Sequence, residues 1–184
     1  MGRSLRRVLL AILATLLTGA CGGSSPLLHH YWIAGSSGPA LPLSELRQNS
    51  TLIVVAMPTG ENRVHWNSAD GKAWSDDLGR SMIYNDQTLE VLETIKGERS
   101  SRIIVRNLGG RVDDALFEFE GMSELAVGDT YLLFLEEVDT PTSEGTERAL
   151  SFVRQHQGVF RLNGEVFESS AGLSVIESDI PSLQ

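Results

Sequence analysis

One cysteine, Cys21, stands among 184 residues, so no internal disulfide holds this chain together. Basic residues are also scarce: 15 Lys and Arg face 24 Asp and Glu, a formal net charge of −9. So acidic a chain is repelled by phosphate backbones and anionic headgroups, which excludes nucleic acid as an expected partner. There is no Gly-x-Ser-x-Gly elbow, no His-Glu-x-x-His pattern and no phosphate-cradling glycine loop. Those absences remove the common signatures of serine hydrolases, zinc proteases and nucleotide binders. No apolar run reaches the roughly 20 residues that a membrane-crossing helix needs. No acidic residue precedes Glu45.

What the first two dozen residues do contain is a basic head, Arg3, Arg6 and Arg7, then apolar or small residues from Val8 to Ala20. The string Leu17-Thr18-Gly19-Ala20-Cys21 ends it. These are the parts of an export signal, and the string resembles the lipobox of bacterial lipoproteins, with Thr18 where leucine is more usual. The resemblance implies cleavage after Ala20 and acylation of Cys21. It accounts for a lone cysteine that would otherwise be a loose thiol. The other reading is an ordinary secreted protein with an incidental Cys21. Arg6-Arg7 before Val8-Leu9-Leu10 fits a general secretory signal or a twin-arginine one. Two or three acyl chains at about 0.8 kcal/mol per buried methylene anchor a protein stably. Gly22 follows the cysteine, so in a Gram-negative cell the expected location is the outer membrane; in a Gram-positive cell it is the outer face of the plasma membrane. Without residues 1–20 the chain has 12 Lys and Arg against 24 Asp and Glu, a net charge of −12.

The expected organisation is a cleaved signal at 1–20, a lipidated flexible tether at 21–40 and a β-barrel domain at 41–184. Gly22-Gly23-Ser24-Ser25-Pro26 and Gly35-Ser36-Ser37-Gly38-Pro39 make the tether flexible. His29, His30, Tyr31 and Trp32 interrupt it, placed either on the domain or at the membrane interface, where aromatic rings are favoured. Leu41 to Gln48 predicts a short helix with Ser44 as its cap. Thr51 to Met57 reads as a buried strand ended by Pro58-Thr59-Gly60. An excursion over 61–80 follows, with a small hairpin in which Val64-His65-Trp66 and Ala73-Trp74-Ser75 flank Asn67 to Gly71. Met82 to Ile95 is the longest strand, with a bulge at Leu92. Arg102 to Leu108 is a strand stopped by Gly109-Gly110. Leu116 to Glu120 alternates as an edge strand, and Thr130 to Leu135 is a second buried strand. Thr140 to Arg148 reads as a mobile loop, and Phe152-Val153-Arg154 as the start of an extended stretch. Asn163-Gly164 predicts a type I′ hairpin turn. The last dozen residues drape over the domain or fray. About seven short strands with little helix predict a mainly β fold, an antiparallel barrel or sandwich.

Three stretches are similar to a bacterial envelope domain with an OB-like, netrin-like β-barrel. They are Leu52 to Ala56; Leu89 to Gly97 with Ile103-Ile104-Val105 and Gly109-Gly110; and Val127 to Leu135 with Gly158 to Leu162. Together they span about residues 45–167. The resemblance implies a small antiparallel barrel and carries no catalytic motif. Metalloprotease inhibition by animal netrin-like domains does not carry over, because this chain lacks their disulfide framework. OB-like barrels often bind on the second and third strands, here Tyr84, Thr88, Arg102 and Arg106, and on the 58–80 loop with Trp66 and Trp74. The candidate binding surface is therefore Trp66, Trp74, Tyr84 and Arg106. Two readings stand for the tryptophans: anchors of a recognition loop, or caps on an open barrel end.

No cofactor or metal is expected. His29-His30 need partners elsewhere to hold an ion, and His65 and His156 are lone histidines with no motif placing a carboxylate beside either. Asp76-Asp77 and Asp113-Asp114 do not have the spacing of a calcium loop. The leading expectation is a non-enzymatic envelope lipoprotein, anchored in the membrane through acyl chains on Cys21, whose barrel binds another envelope protein or polymer. The alternative is a hydrolase of an envelope polymer, with an acid/base pair gathered in a deep polar cleft.

Overall fold

The computed structural model describes residues 29–33, 39–74, 80–119 and 125–183. The expected export signal, Cys21, the stretches 22–28 and 34–38 expected as tether, Asp76-Asp77 and Glu120 lie outside them. The described chain is mainly β, as its composition of short apolar runs predicts. Its strands are β1 (His29–Ile33), β2 (Leu52–Trp66), β3 (Ile83–Lys96), β4 (Arg102–Leu108), β5 (Gly110–Val112), β6 (Ala115–Phe119), β7 (Tyr131–Thr142), β8 (Gly145–Phe152), β9 (Val159–Asn163), β10 (Val166–Ser169) and β11 (Ser174–Ile176). One helix, α1 (Leu43–Asn49), and two 3₁₀ segments at Gln155–Gly158 and Glu177–Leu183 complete the elements.

Five strands form a ring in the order β7-β2-β3-β4-β8, with β8 returning to β7. Every pairing in the ring is antiparallel except β4 with β8, which are parallel and joined by one residue pair, Val105 with Leu150. The barrel is thus partly closed, with a seam along β4 and β8. Strands β9, β10 and β11 extend the sheet beyond β7.

The apolar runs at Leu52–Ala56 and Tyr131–Leu135 are continuous because both faces of these strands are covered. Leu52, Val54, Leu133 and Leu135 point into the barrel with Leu89, Val105 and Phe152. Ile53, Val55, Leu132 and Phe134 point outward, under α1, β9–β11 and the last 3₁₀ turn, where Leu46, Phe160, Phe167, Val175 and Ile180 meet them. The chain's last residues therefore drape over the domain. A third cluster of Trp66, Ile83, Ala115 and Phe117 joins one barrel end to a separate sheet of order β1-β6-β5.

Several local expectations are corrected. Ser44 lies inside α1; Pro42 occupies the cap position without a side-chain bond, and Lys96 Nζ donates to the carbonyls of Arg47 and Ser50 at the other end. Pro58-Thr59-Gly60 does not end β2. The register slips between Pro58 and Asn62, the Thr59 hydroxyl donates to Thr88 O at 3.0 Å, and pairing with β3 resumes. A bulge absorbs the missing proline N–H. Among the described residues no hairpin forms over 64–74, because Val64–Trp66 pair with Ile83–Asn85; Ser75 lies outside the described residues. Strand β6 is central rather than an edge, since β1 covers it in parallel register, His29 with Ala115 through Ile33 with Phe119. Of the two placements weighed for His29–Trp32, these residues take the one on the domain. Residues 140–148 are no loop: β7 and β8 continue to Thr142 and Gly145. Past Phe152 the chain turns through left-handed residues Arg154 and Gln155 and does not extend. The β9–β10 turn centres on Gly164-Glu165, because Asn163 pairs with Val166. Gly164 alone has positive φ, +66°, which fits a type II′ turn in place of the predicted type I′. The bulge at Leu92 is present where expected: Val55 pairs with Glu93 and Ala56 with Val91, leaving Leu92 unpaired and exposed.

Candidate binding cleft at the barrel seam

Cross-strand register builds the polar centre of this site. Asp86 on β3 sits opposite Arg106 on β4. Arg106 grips it with two bonds, Nε to Oδ1 at 2.7 Å and the second amino group to Oδ2 at 2.8 Å, the fork geometry that suits a carboxylate. The remaining guanidinium nitrogen donates to Glu147 at 2.6 Å and to the Thr140 hydroxyl at 3.2 Å. His65 Nε2 lies 3.0 Å from Asp86 Oδ2, and its Nδ1 lies 2.8 Å from Trp66 O. Both ring nitrogens thus face acceptors. The sequence gives no hint of a carboxylate beside His65; the sheet register supplies one.

Burial opposes the Asp86 charge, but the bonds from Arg106 and His65 overcome it and hold the carboxyl below its usual range. The bond from Asp86, with that from Glu147, outweighs desolvation and raises the Arg106 pKa above its ordinary value. Tyr84 lies under Arg106, with 5.4 Å from the guanidinium carbon to the ring centre. Burial raises its phenol pKa, against the opposing charge of Arg106.

Beside this network, along the seam, lies a cleft of about 150 Å³. Strand β4 contributes Arg106, Asn107 and Leu108; Tyr84 and Phe119 close one side, and Val138, Thr140, Ser151, Phe152 and Gln155 the other. Behind it, Asn107 Nδ2 donates to Gln87 Oε1 at 3.2 Å, both residues buried. Asn85, the register partner of Asn107, has a buried Oδ1 with no hydrogen-bond partner among the described residues. These amides occupy positions that an apolar barrel would fill with Leu or Val. Asn85, Gln87 and Asn107 interrupting strand patterns is the sequence signal that points here.

The expected surface residues are distributed unevenly. Tyr84 and Arg106 meet in the cleft. Trp66 is 8% exposed, with its ring edge-on to Phe117 at 5.8 Å, so it caps the barrel end. Trp74 is half-buried, donates from Nε1 to Asn67 Oδ1 at 2.8 Å and has the Arg80 guanidinium 5.8 Å from its ring. Thr88 lines a separate hollow with Pro58, Gln87 and Val127. Arg102 is exposed, 3.8 Å from Glu61. His156 is half-buried, with an Nδ1 that has no hydrogen-bond partner among the described residues.

Asn67 fixes the excursion between β2 and β3. Its Nδ2 donates to Arg80 O at 2.7 Å and Pro141 O at 2.8 Å, and its Oδ1 accepts from Trp74 Nε1 and Met82 N, each at 2.8 Å. Asn67→Asp keeps the shape but sets a second carboxylate oxygen against two carbonyls. It is expected to lower stability by about 3 kcal/mol, more than Asn67→Ala at about 2. Urea denaturation followed by tryptophan fluorescence checks the order; an Asn67→Asp variant as stable as the wild type would show that the loop is held otherwise.

No family model matches the chain, and no curated protein or solved structure matches it. The site therefore rests on its own geometry. Among the described residues no cluster of His, Cys, Asp and Glu is placed to hold a metal ion, and no helix is long and apolar enough to cross a membrane.

Proposed function

We propose that this protein is a lipid-anchored component of a bacterial cell envelope, and that its barrel is a non-enzymatic binding module. The observation that carries the anchor is Cys21, the lone cysteine, at the end of a basic and then apolar leader with Gly19 and Ala20 before it. The barrel's part rests on the seam cleft. Tyr84, Leu108, Phe119, Val138 and Phe152 offer an apolar bed, and Asn107, Ser151 and Gln155 offer hydrogen bonds. That mixture suits an apolar or aromatic group carried on another envelope protein or polymer. The net charge of −12 after loss of the leader disfavours nucleic acid.

A hydrolase reading would draw on His65, Asp86 and Glu147, which do gather. Both His65 nitrogens are engaged, by Trp66 O and Asp86, and Glu147 is bound to Arg106. A general base needs a free nitrogen or carboxylate facing substrate, so the geometry supports binding over acid/base chemistry.

Intact mass of protein recovered from a membrane fraction tests the anchor. The expected species begins at Cys21 and carries acyl mass, and Cys21→Ser removes both the mass and the membrane association. A mature, unacylated wild-type chain would sink the anchor and leave a secreted binding protein.

A further inference from the structure

If Cys21 carries the lipid, the length of the leash decides how the barrel stands on its membrane, and β1 sets that length. Nineteen residue steps separate Cys21 from Ala40, the stretch that reads as tether. At no more than 3.6 Å per step they reach at most roughly 68 Å, enough for the domain to turn freely. But β1 pairs with β6 along all five of its residues, starting with His29 opposite Ala115. Tyr31 stacks on Phe117 with ring centres 4.6 Å apart, and His30 Nε2 lies 2.5 Å from Glu118 Oε2. Only eight steps lie between Cys21 and His29, a reach of at most roughly 29 Å.

The leash leaves the domain at one defined place. Ala115 follows the Asp113-Asp114 turn between β5 and β6, so the start of β1 lies beside that turn. The small sheet is in turn fixed to one end of the barrel. Gly109 N donates to Ile83 O at 2.7 Å, and a Cβ on Gly110 would lie 2.6 Å from Val64 Cγ1. Phe117 meets Trp66. The opposite barrel end is the β3–β4 turn at Gly97-Glu98. It follows directly on Lys96, thirteen residue steps along β3 from Ile83, on the order of 40 Å at 3.2–3.4 Å per step.

We propose that β1 is a clip that shortens the tether and holds the β5–β6 turn toward the membrane, with the Gly97-Glu98 turn directed away. This rests on acylation of Cys21. The clip, not surface charge, does the holding, because Asp113 and Asp114 at the near turn are repelled by anionic lipid.

The test uses the full acylated protein in phosphatidylcholine vesicles doped with a fluorescent lipid acceptor. With Cys21 acylated, a cysteine introduced at exposed Arg111 or exposed Glu98 is the only free thiol for a donor dye. Energy transfer is expected to be several-fold higher from Arg111→Cys than from Glu98→Cys. Tyr31→Pro, which breaks the β1 ladder, should bring the two close to equal. A Gly-Ser insertion of about twenty residues between Cys21 and His29 should do the same with β1 intact, so the result stands even if Tyr31→Pro misfolds. Equal transfer from both sites in acylated, vesicle-bound protein without the insertion would overturn the clip. Absence of acyl mass and of vesicle binding would instead overturn the anchor on which the clip depends.

Discussion

Arg106→Ala is expected to destabilise the protein by about 3 kcal/mol at about pH 7, and by clearly less at about pH 3. The magnitude follows from what the substitution leaves behind. Side-chain exposure is 9% for Arg106 and 14% for Asp86, so the variant strands a carboxylate with little solvent and one partner, His65. Glu147 is 56% exposed and regains water, so it adds little, and Glu147→Gln should cost below about 1 kcal/mol. The pH dependence has a definite sign. The folded pKa of Asp86 is depressed below its unfolded value. Its contribution is therefore present above about pH 4 and is lost as pH falls through the lower folded value. Once acid neutralises Asp86 in wild type and variant alike, the missing guanidinium matters less, and the two curves converge. Urea denaturation of both proteins across that range measures the gap. A gap that stays constant with pH would mean that Arg106 acts by packing on Tyr84 rather than through Asp86.

Phe134→Ala should have the largest effect of any single truncation described, about 4 kcal/mol. Phe134 is fully buried, its ring 5.4 Å from that of Phe160. It lies on the outward face of β7, the strand shared by the ring and the β9–β11 extension. The cavity would therefore open between the barrel and the layer formed by α1, β9–β11 and the terminal 3₁₀ turn. Amide exchange should accelerate in that layer before it does in β3 and β4. Leu92→Ala, at the exposed bulge, should change stability by below about 0.5 kcal/mol. A loss of under about 1.5 kcal/mol for Phe134→Ala would mean that the outer layer contributes little to the fold.

Features that depend on neighbours in sequence were legible. The run Arg102–Leu108 is bounded as the glycines after it indicate, and Leu92 breaks the alternation of β3 where the ladder bulges. The buried strands Leu52–Ala56 and Tyr131–Leu135 announce themselves by lacking a polar face. What was not legible depends on strands meeting across the fold. Pro58 looks like a stop because its missing N–H is local, whereas the bulge that absorbs it is a property of β3. Thr140–Arg148 is polar because a hairpin pairs through its backbone while most of its side chains, the buried Thr140 apart, face water, and polarity alone cannot separate that from a loop. Tyr84 and Arg106 were visible as candidates on adjacent strands. Asp86, His65 and Glu147 were not, since only register places them around the guanidinium. Trp66 and Trp74 stand out in the sequence as large rings, but composition does not say which face of a strand or loop a ring takes.

The ring of strands has two links that no hairpin supplies. Strands β2, β3 and β4 follow one another in the chain and pair in that order, and β7 pairs with the β8 that follows it. Two joins bring together strands far apart in sequence, β2 with β7 and β4 with β8, and the second amounts to one residue pair. Distant joins must overcome loop-closure entropy before any contact rewards them. Two local pieces, a three-strand meander and a two-strand hairpin, are thus expected to form before they join. The five-residue β2–β7 join brings them together without Leu150, so closure at Val105 and Leu150 is expected to be the last step in forming the barrel and its opening the first step in losing it.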